Sequence, residues 1–198
     1  MNRKGTVTLE TKRLLLRQFA LEDAAAVFRN YACDPEVTKY LIWPPHKSVR
    51  MSEAWCALNV NSYTDATYYS WTIVLKELGE PIGGISVVEQ DARAQVARIG
   101  YCIGRAWWHQ GYTTEALKTV VAFLFDEVGF NRIESDHDPR NPNSGKVMEG
   151  AGLTYEGTHR QADWSNQGIC DSMVYALLKE DYHSSGNSLE HGVRVQDT

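Results

Sequence analysis

The residues best equipped for chemistry lie between Ile99 and Leu117. Strand-favouring residues run to Gly104, a short loop follows, and helical periodicity begins at Gly111 to Thr114. The start of a helix leaves N–H groups unpaired and carries a partial positive charge. A strand–loop–helix junction with glycine at the tight position is therefore an anion site. Gly111 lets a phosphate approach the backbone, and Thr113 and Thr114 add hydroxyl donors. A simple helix cap would use the same residues. The segment has no Gly-Lys-Ser/Thr and lacks the three glycines of a dinucleotide fingerprint, so neither of those phosphate loops is present.

Two further clusters invite chemistry. Asn141 and Pro142 open a short helix, with Asn as cap and Pro at the first helical position, and Ser144 falls in its first turn. Asp136-His137-Asp138 has metal-ligand residue types. Strand alternation places the two aspartates on one face and His137 on the other, so no three ligands converge and no metal is expected.

These residues need a scaffold. A short apolar run over 13–17 predicts a strand, and Ala24, Val27, Phe28 and Tyr31 form one helical face that Asp34-Pro35 ends. Ser48 is placed to cap a second helix with a stripe of Met51, Ala54, Trp55 and Leu58. Residues 68–76, 82–89 and 95–104 predict an antiparallel meander. A long helix over 111–128 ends at Gly129, followed by a strand at 132–136, the short helix to Gly150, and strands at 152–158 and 169–179. From His183 onward the chain is polar and aperiodic, which predicts a disordered tail over 183–198.

The chain has 198 residues and a net charge of −5, from 20 Lys+Arg and 25 Asp+Glu. That length predicts one domain, with no basic run of the kind nucleic-acid binders carry. No apolar stretch reaches the ~20 residues that span a bilayer, and no apolar leader core follows Met1 to Thr6. Cysteines 33, 56, 102 and 170 are irregularly spaced and read as free thiols in a reducing cytoplasm. No nucleic-acid or membrane partner is expected.

The run Trp108 to Ala116 resembles the acetyl-CoA loop of the GNAT superfamily of N-acetyltransferases, and with Ile99-Gly100-Tyr101 before it, the RimJ/RimL-type branch. Leu9 to Arg17, Glu22 to Ala24, Ile82 to Ile85, Asn141 to Ser144 with Val147 to Glu149, and Gly168 to Tyr175 resemble that branch's other motifs, in order. The resemblance covers residues 8–182. It implies an α/β (α+β) GNAT fold: a single mixed, mostly antiparallel sheet of about seven strands with about four helices, its central strands splayed. The implied activity is transfer of an acetyl group from acetyl-CoA to a primary amine, on a protein N-terminus or a small molecule, by direct attack in a ternary complex. The other reading is a non-catalytic acyl-CoA-binding module. A monomer or homodimer is expected.

The resemblance also assigns residues. The strand holding Tyr101, Cys102 and Ile103 would pair with the pantetheine arm, and a backbone N–H near Cys102 or Ile103 would polarise the thioester carbonyl. The pyrophosphate would lie on His109, Gln110, Gly111, Tyr112, Thr113 and Thr114. Asn141 would bind pantetheine. Ser144 would lie near the sulfur, as donor to the leaving thiolate or as a first-turn residue satisfying backbone groups. Met148 stands where many relatives carry Tyr, and His109 stands at a position often Gly. Arg98 occupies the place of a common acidic residue and is expected to face an acidic group on the acceptor. Glu89 is then the candidate general base, beside Asp171 or an ordered water; an exposed hairpin carboxylate is its alternative reading. Trp43, His46, Trp55, Tyr63, Trp71 and Trp164 are candidates for the acceptor side or the core.

Overall fold

The computed structural model describes residues 1–184 and 194–196. Among the described residues nine strands form one sheet: β1 (Thr8–Glu10), β2 (Leu14–Arg17), β3 (Ser70–Leu75), β4 (Glu80–Asp91), β5 (Val96–Ile103), β6 (Arg132–His137), β7 (Thr154–Ser165), β8 (Gly168–Leu178) and β9 (Arg194–Gln196). Their order is β7-β8-β6-β5-β4-β3-β2-β1-β9. Only β5 and β6 run parallel; every other neighbouring pair is antiparallel. The α-helices are α1 (Ala24–Val27), α2 (Pro35–Thr38), α3 (Val49–Ser62), α4 (Tyr112–Phe123), α5 (Pro142–Gly150) and α6 (Lys179–Ser184). The mixed, mostly antiparallel GNAT-type sheet is the expected one. The strands beyond the expected seven are β1 and β9, each only three residues long, too short to show a period.

Alternation along the strands sorts their side chains onto two faces. On one face Leu14, Leu16, Trp71, Ile73, Ile99 and Ile133 pack against Leu117, Val120, Val121 and Phe125 of the long helical segment. On the other, α1, the π-turn at Phe28–Ala32 and α3 cover a smaller cluster of Phe19, Val27, Tyr31, Val37 and Cys56. Asp34-Pro35 ends the first helical segment and also starts α2, because Asp34 Oδ1 accepts from the Glu36 N–H at 2.9 Å.

Helix α3 corrects one expectation. Its predicted core stripe is outward: Met51, Trp55 and Leu58 are exposed, while Ser52, Cys56 and Asn59 are buried. Asn59 is the reason. Its Nδ2 donates to the Trp55 carbonyl, and its Oδ1 accepts from Tyr68 at 2.9 Å and Ser70 at 2.8 Å. Ser48 takes the N-cap position without a side-chain bond.

Of the tail expected from 183 onward, His183 and Ser184 complete α6 and Arg194–Gln196 pairs with β1. The remainder lies outside the described residues.

Candidate active site

Strands β5 and β6 pair only through Val96↔Arg132, Ala97↔Ile133 and Arg98↔Glu134, then separate. At the vertex the Ser135 hydroxyl donates to the Ile99 carbonyl at 2.7 Å. Parallel strands that diverge leave backbone groups facing the gap. The Ile99 carbonyl points toward β6, so by alternation the peptide groups of Tyr101 and Ile103 also face the gap, whereas Gly104 N–H donates back to Ile82. Of Cys102 and Ile103, Ile103 is thus the residue whose N–H looks into the opening. Its carbonyl accepts from Trp108 Nε1 at 2.9 Å.

A cleft of about 300 Å³ occupies this gap. One wall is the α4 start, with His109, Gly111, Tyr112, Thr113 and Thr114; the other is the α5 start, with Asn141, Ser144 and Val147. Tyr101, Cys102 and Ile103 form the β5 edge, and Val37 and Leu41 close the far side of the sheet. The cleft therefore passes through the sheet. Of the residues expected around the cofactor, only Gln110 does not line it; its amide donates to the Ala106 carbonyl.

The loop geometry explains its sequence. Gly111 is the N-cap of α4 with φ 77°, and its carbonyl accepts from the Glu115 N–H at 3.0 Å. His109 is also left-handed, with φ 60°, which is why glycine suits that position. Sequence reasoning missed the side chain that braces this loop. Arg13 donates to the Gln110 carbonyl at 2.9 Å, pairs with Glu115 at 2.6 Å, and lies 4.2 Å from the Tyr112 ring centroid. Burial works against the Glu115 carboxylate, but hydrogen bonds from Thr11 and Arg13 outweigh it and hold its pKa below the ordinary range. Nothing local in the sequence links Arg13 to a loop about a hundred residues on.

The α5 wall is built by a turn. The Asn141 N–H donates to the Asp138 carbonyl at 2.8 Å, and Arg140 pairs with the buried Asp138 carboxylate. Asn141 precedes Pro142 at the helix start but makes no side-chain cap bond, so its amide is available to the cleft. Ser144 Oγ lies 3.0 Å from the Tyr101 hydroxyl. Burial pushes the Cys102 thiol up to about 12, so it stays a neutral thiol at physiological pH.

Arg98 lies on the opposite face of β5. Asp136 accepts from it at 2.7 Å, with Glu89 at 3.5 Å and Asp163 at 3.8 Å. The acidic groups that Arg98 meets are thus the chain's own. Ser172 also donates to Asp136 at 2.7 Å. Arg98, Asp136 and Ser172 border a polar basin of about 370 Å³ against β6, β7 and β8. Glu89 does not reach the cleft: it is exposed on β4 and leans on Arg98. Asp171 accepts from the Gln161 N–H in the closing hairpin.

The aromatic candidates divide. Trp71 is core, and the Tyr63 hydroxyl bridges the Phe19 N–H and the Ser70 carbonyl. Trp55 and Trp164 are exposed, and His46 bonds Ser52 beneath Trp43. Asn166, which sequence reasoning also missed, latches the β7–β8 turn onto the cleft's far wall. Its N–H donates to the Leu41 carbonyl at 3.0 Å, and its amide donates to the carbonyls of Thr38 and Trp43, each at 2.8 Å. No helix among the described residues is long and apolar enough to cross a membrane.

Comparison with known proteins bears on the family and the fold. The family model for the acetyltransferase (GNAT) domain matches residues 13–154. Protein p20 of Bacillus licheniformis, named an uncharacterized N-acetyltransferase, is 32% identical over 177 residues, covering 88% of this chain and 98% of p20. Among solved structures, the microcin C7 self-immunity acetyltransferase MccE, in complex with acetyl-CoA and AMP, superposes with a TM-score of 0.76. It is 19% identical and covers 84% of this chain and 93% of its own. The ribosomal-protein-S5-alanine acetyltransferase of Vibrio fischeri superposes with a TM-score of 0.77 at 18% identity, covering 89% and 98%.

Proposed function

This chain belongs to the GNAT acetyltransferase family, and from that premise we propose that it moves an acetyl group from acetyl-CoA to a primary amine by direct attack in a ternary complex. The observation that carries the reading is the cleft through the sheet, with the α4 start at one end and Ser144 at the other.

The physical roles follow from that cleft. The pyrophosphate sits on the N–H groups of the loop and first turn around Gly111, where the helix dipole favours an anion. The pantetheine arm lies along the free edge of β5 and meets Asn141. The Ile103 N–H donates to the thioester carbonyl oxygen, whose negative charge grows as the amine attacks. The carbon–sulfur bond then breaks with its electron pair going to sulfur, and the Ser144 hydroxyl donates a hydrogen bond to that thiolate.

The acceptor arrives from the face carrying Arg98 and Asp136, opposite α4 and α5. An amine attacks only after losing a proton, and an α-amine has an ordinary pKa near 8. The Asp136 carboxylate is held by Arg98 and Ser172, and Glu89 lies outward in solvent on the far side of Arg98, so water in the polar basin takes that proton. The motif order favours the RimJ/RimL-type branch. The ribosomal-protein acceptor of the Vibrio fischeri relative makes a protein N-terminal amine the first acceptor to assay.

The test is release of free CoA thiol from acetyl-CoA across N-terminal peptides, polyamines and aminoglycosides. Amine-dependent release with an acetylated product is expected. Tight CoA binding with no release for any amine would instead establish a binding module.

A further inference from the structure

Tyr101 reaches from β5 to the first turn of α5. Its hydroxyl lies 2.9 Å from the Ser144 carbonyl oxygen and 3.0 Å from Ser144 Oγ. A carbonyl only accepts, and a tyrosine hydroxyl carries a single proton. Two arrangements are therefore available. With the Tyr101 proton on the carbonyl, Ser144 donates to the phenol oxygen. With the Tyr101 proton on Oγ, the serine proton is free to point elsewhere. One rotation about each C–O bond interconverts them.

The surroundings hold this pair in register. A Cβ on Gly145 would stand 2.7 Å from His137 Nε2 and 3.1 Å from the Tyr175 hydroxyl, so α5 rests directly on β6 and β8. His137 Nδ1 donates to the Asp138 carbonyl at 2.8 Å, and its buried Nε2 has no hydrogen-bond partner beneath that helix. Burial also raises the Tyr101 pKa, although the bond to Ser144 works the other way, so the phenol keeps its proton.

We infer that Tyr101 is the positioning residue of Ser144: it holds the serine hydroxyl at rest and, as the thiolate forms, turns its own O–H onto Oγ so that Ser144 donates to sulfur. This rests on the reading of Ser144 as the thiolate's donor. The Ser144 carbonyl loses little in the exchange, because it also stands in the helix ladder of α5. No proton leaves either hydroxyl; the electron pair of the broken bond stays on sulfur.

The test needs no acceptor. CoA labelled at the carbon next to sulfur reports, by NMR, the pKa of its thiol when bound. Ser144→Ala is expected to raise that pKa by about one unit, since it removes a hydrogen bond to a charged group. Tyr101→Phe keeps the buried ring and is expected to raise it by about half a unit. The double variant is expected to rise no further than Ser144→Ala alone, because the two hydroxyls act in series. A Tyr101→Phe protein with the wild-type thiol pKa, or a fully additive double variant, overturns the inference and leaves Ser144 in its role. A Ser144→Ala protein with the wild-type value overturns both.

Discussion

Replacing Gly111 with alanine separates the loop's conformation from its ligand. Gly111 has φ 77° and ψ 4°, and a Cβ there would meet Arg13 Nη2 at 3.6 Å, an ordinary contact. Sterics with the rest of the fold are therefore mild, and the cost is backbone strain. A left-handed L-residue costs roughly 1–2 kcal/mol, and the stiffer unfolded chain returns about 0.4–1 kcal/mol. The net destabilisation is about 1 kcal/mol, which in a chain of this size lowers the melting temperature by about 2–4 °C. Strain relief moves the loop amides, and acetyl-CoA affinity is expected to fall about tenfold, equivalent to ~1.4 kcal/mol. The assay is thermal melting with and without acetyl-CoA, since a ligand of the native state raises the midpoint. His109→Gly supplies the opposite sign: it relieves strain at φ 60° and is expected to raise the midpoint. Unchanged melting in Gly111→Ala would refute the left-handed geometry. Lowered melting with an unchanged acetyl-CoA increment would refute the phosphate assignment.

Glu115→Gln is expected to flatten the acid limb of stability. The folded pKa of Glu115 is depressed, so its contribution is present above the ordinary value of 4.5 and is lost as pH falls through the folded pKa; urea unfolding at stepped pH reads the difference. Asn141→Ala removes no cap bond, so stability is expected to stay within about 0.5 kcal/mol, while acetyl-CoA binds several-fold more weakly by calorimetry. Asn166→Ala cuts both side-chain ties to the 38–43 segment, and hydrogen exchange there is expected to rise by about tenfold or more, on a loss of ~1–3 kcal/mol.

The parts of the site that were legible in sequence are those carried by neighbours along the chain. Gly111 with its threonines, and Asn141 with Pro142 and Ser144, each announce a helix start within a few residues. The braces were not legible. Arg13 meets Glu115, and Asn166 meets Thr38 and Trp43, only because the sheet brings distant segments together. Helix α3 shows how hydropathy misleads: a buried hydrogen-bond hub at Asn59 turns the polar side inward and leaves Met51, Trp55 and Leu58 outside. Arg98 was read from its sequence position as facing an acceptor. Its partners Asp136 and Asp163 lie on strands that a linear reading cannot place beside it.

The most direct measurement is a crystal structure of the protein soaked with acetyl-CoA. The proposed binding mode puts the pyrophosphate on the amides between His109 and Thr114, the thioester carbonyl oxygen within hydrogen-bond distance of the Ile103 N–H, and sulfur beside Ser144 Oγ. Pantetheine lying outside the gap between β5 and β6, or an acetyl group turned away from the Arg98 face, would contradict it.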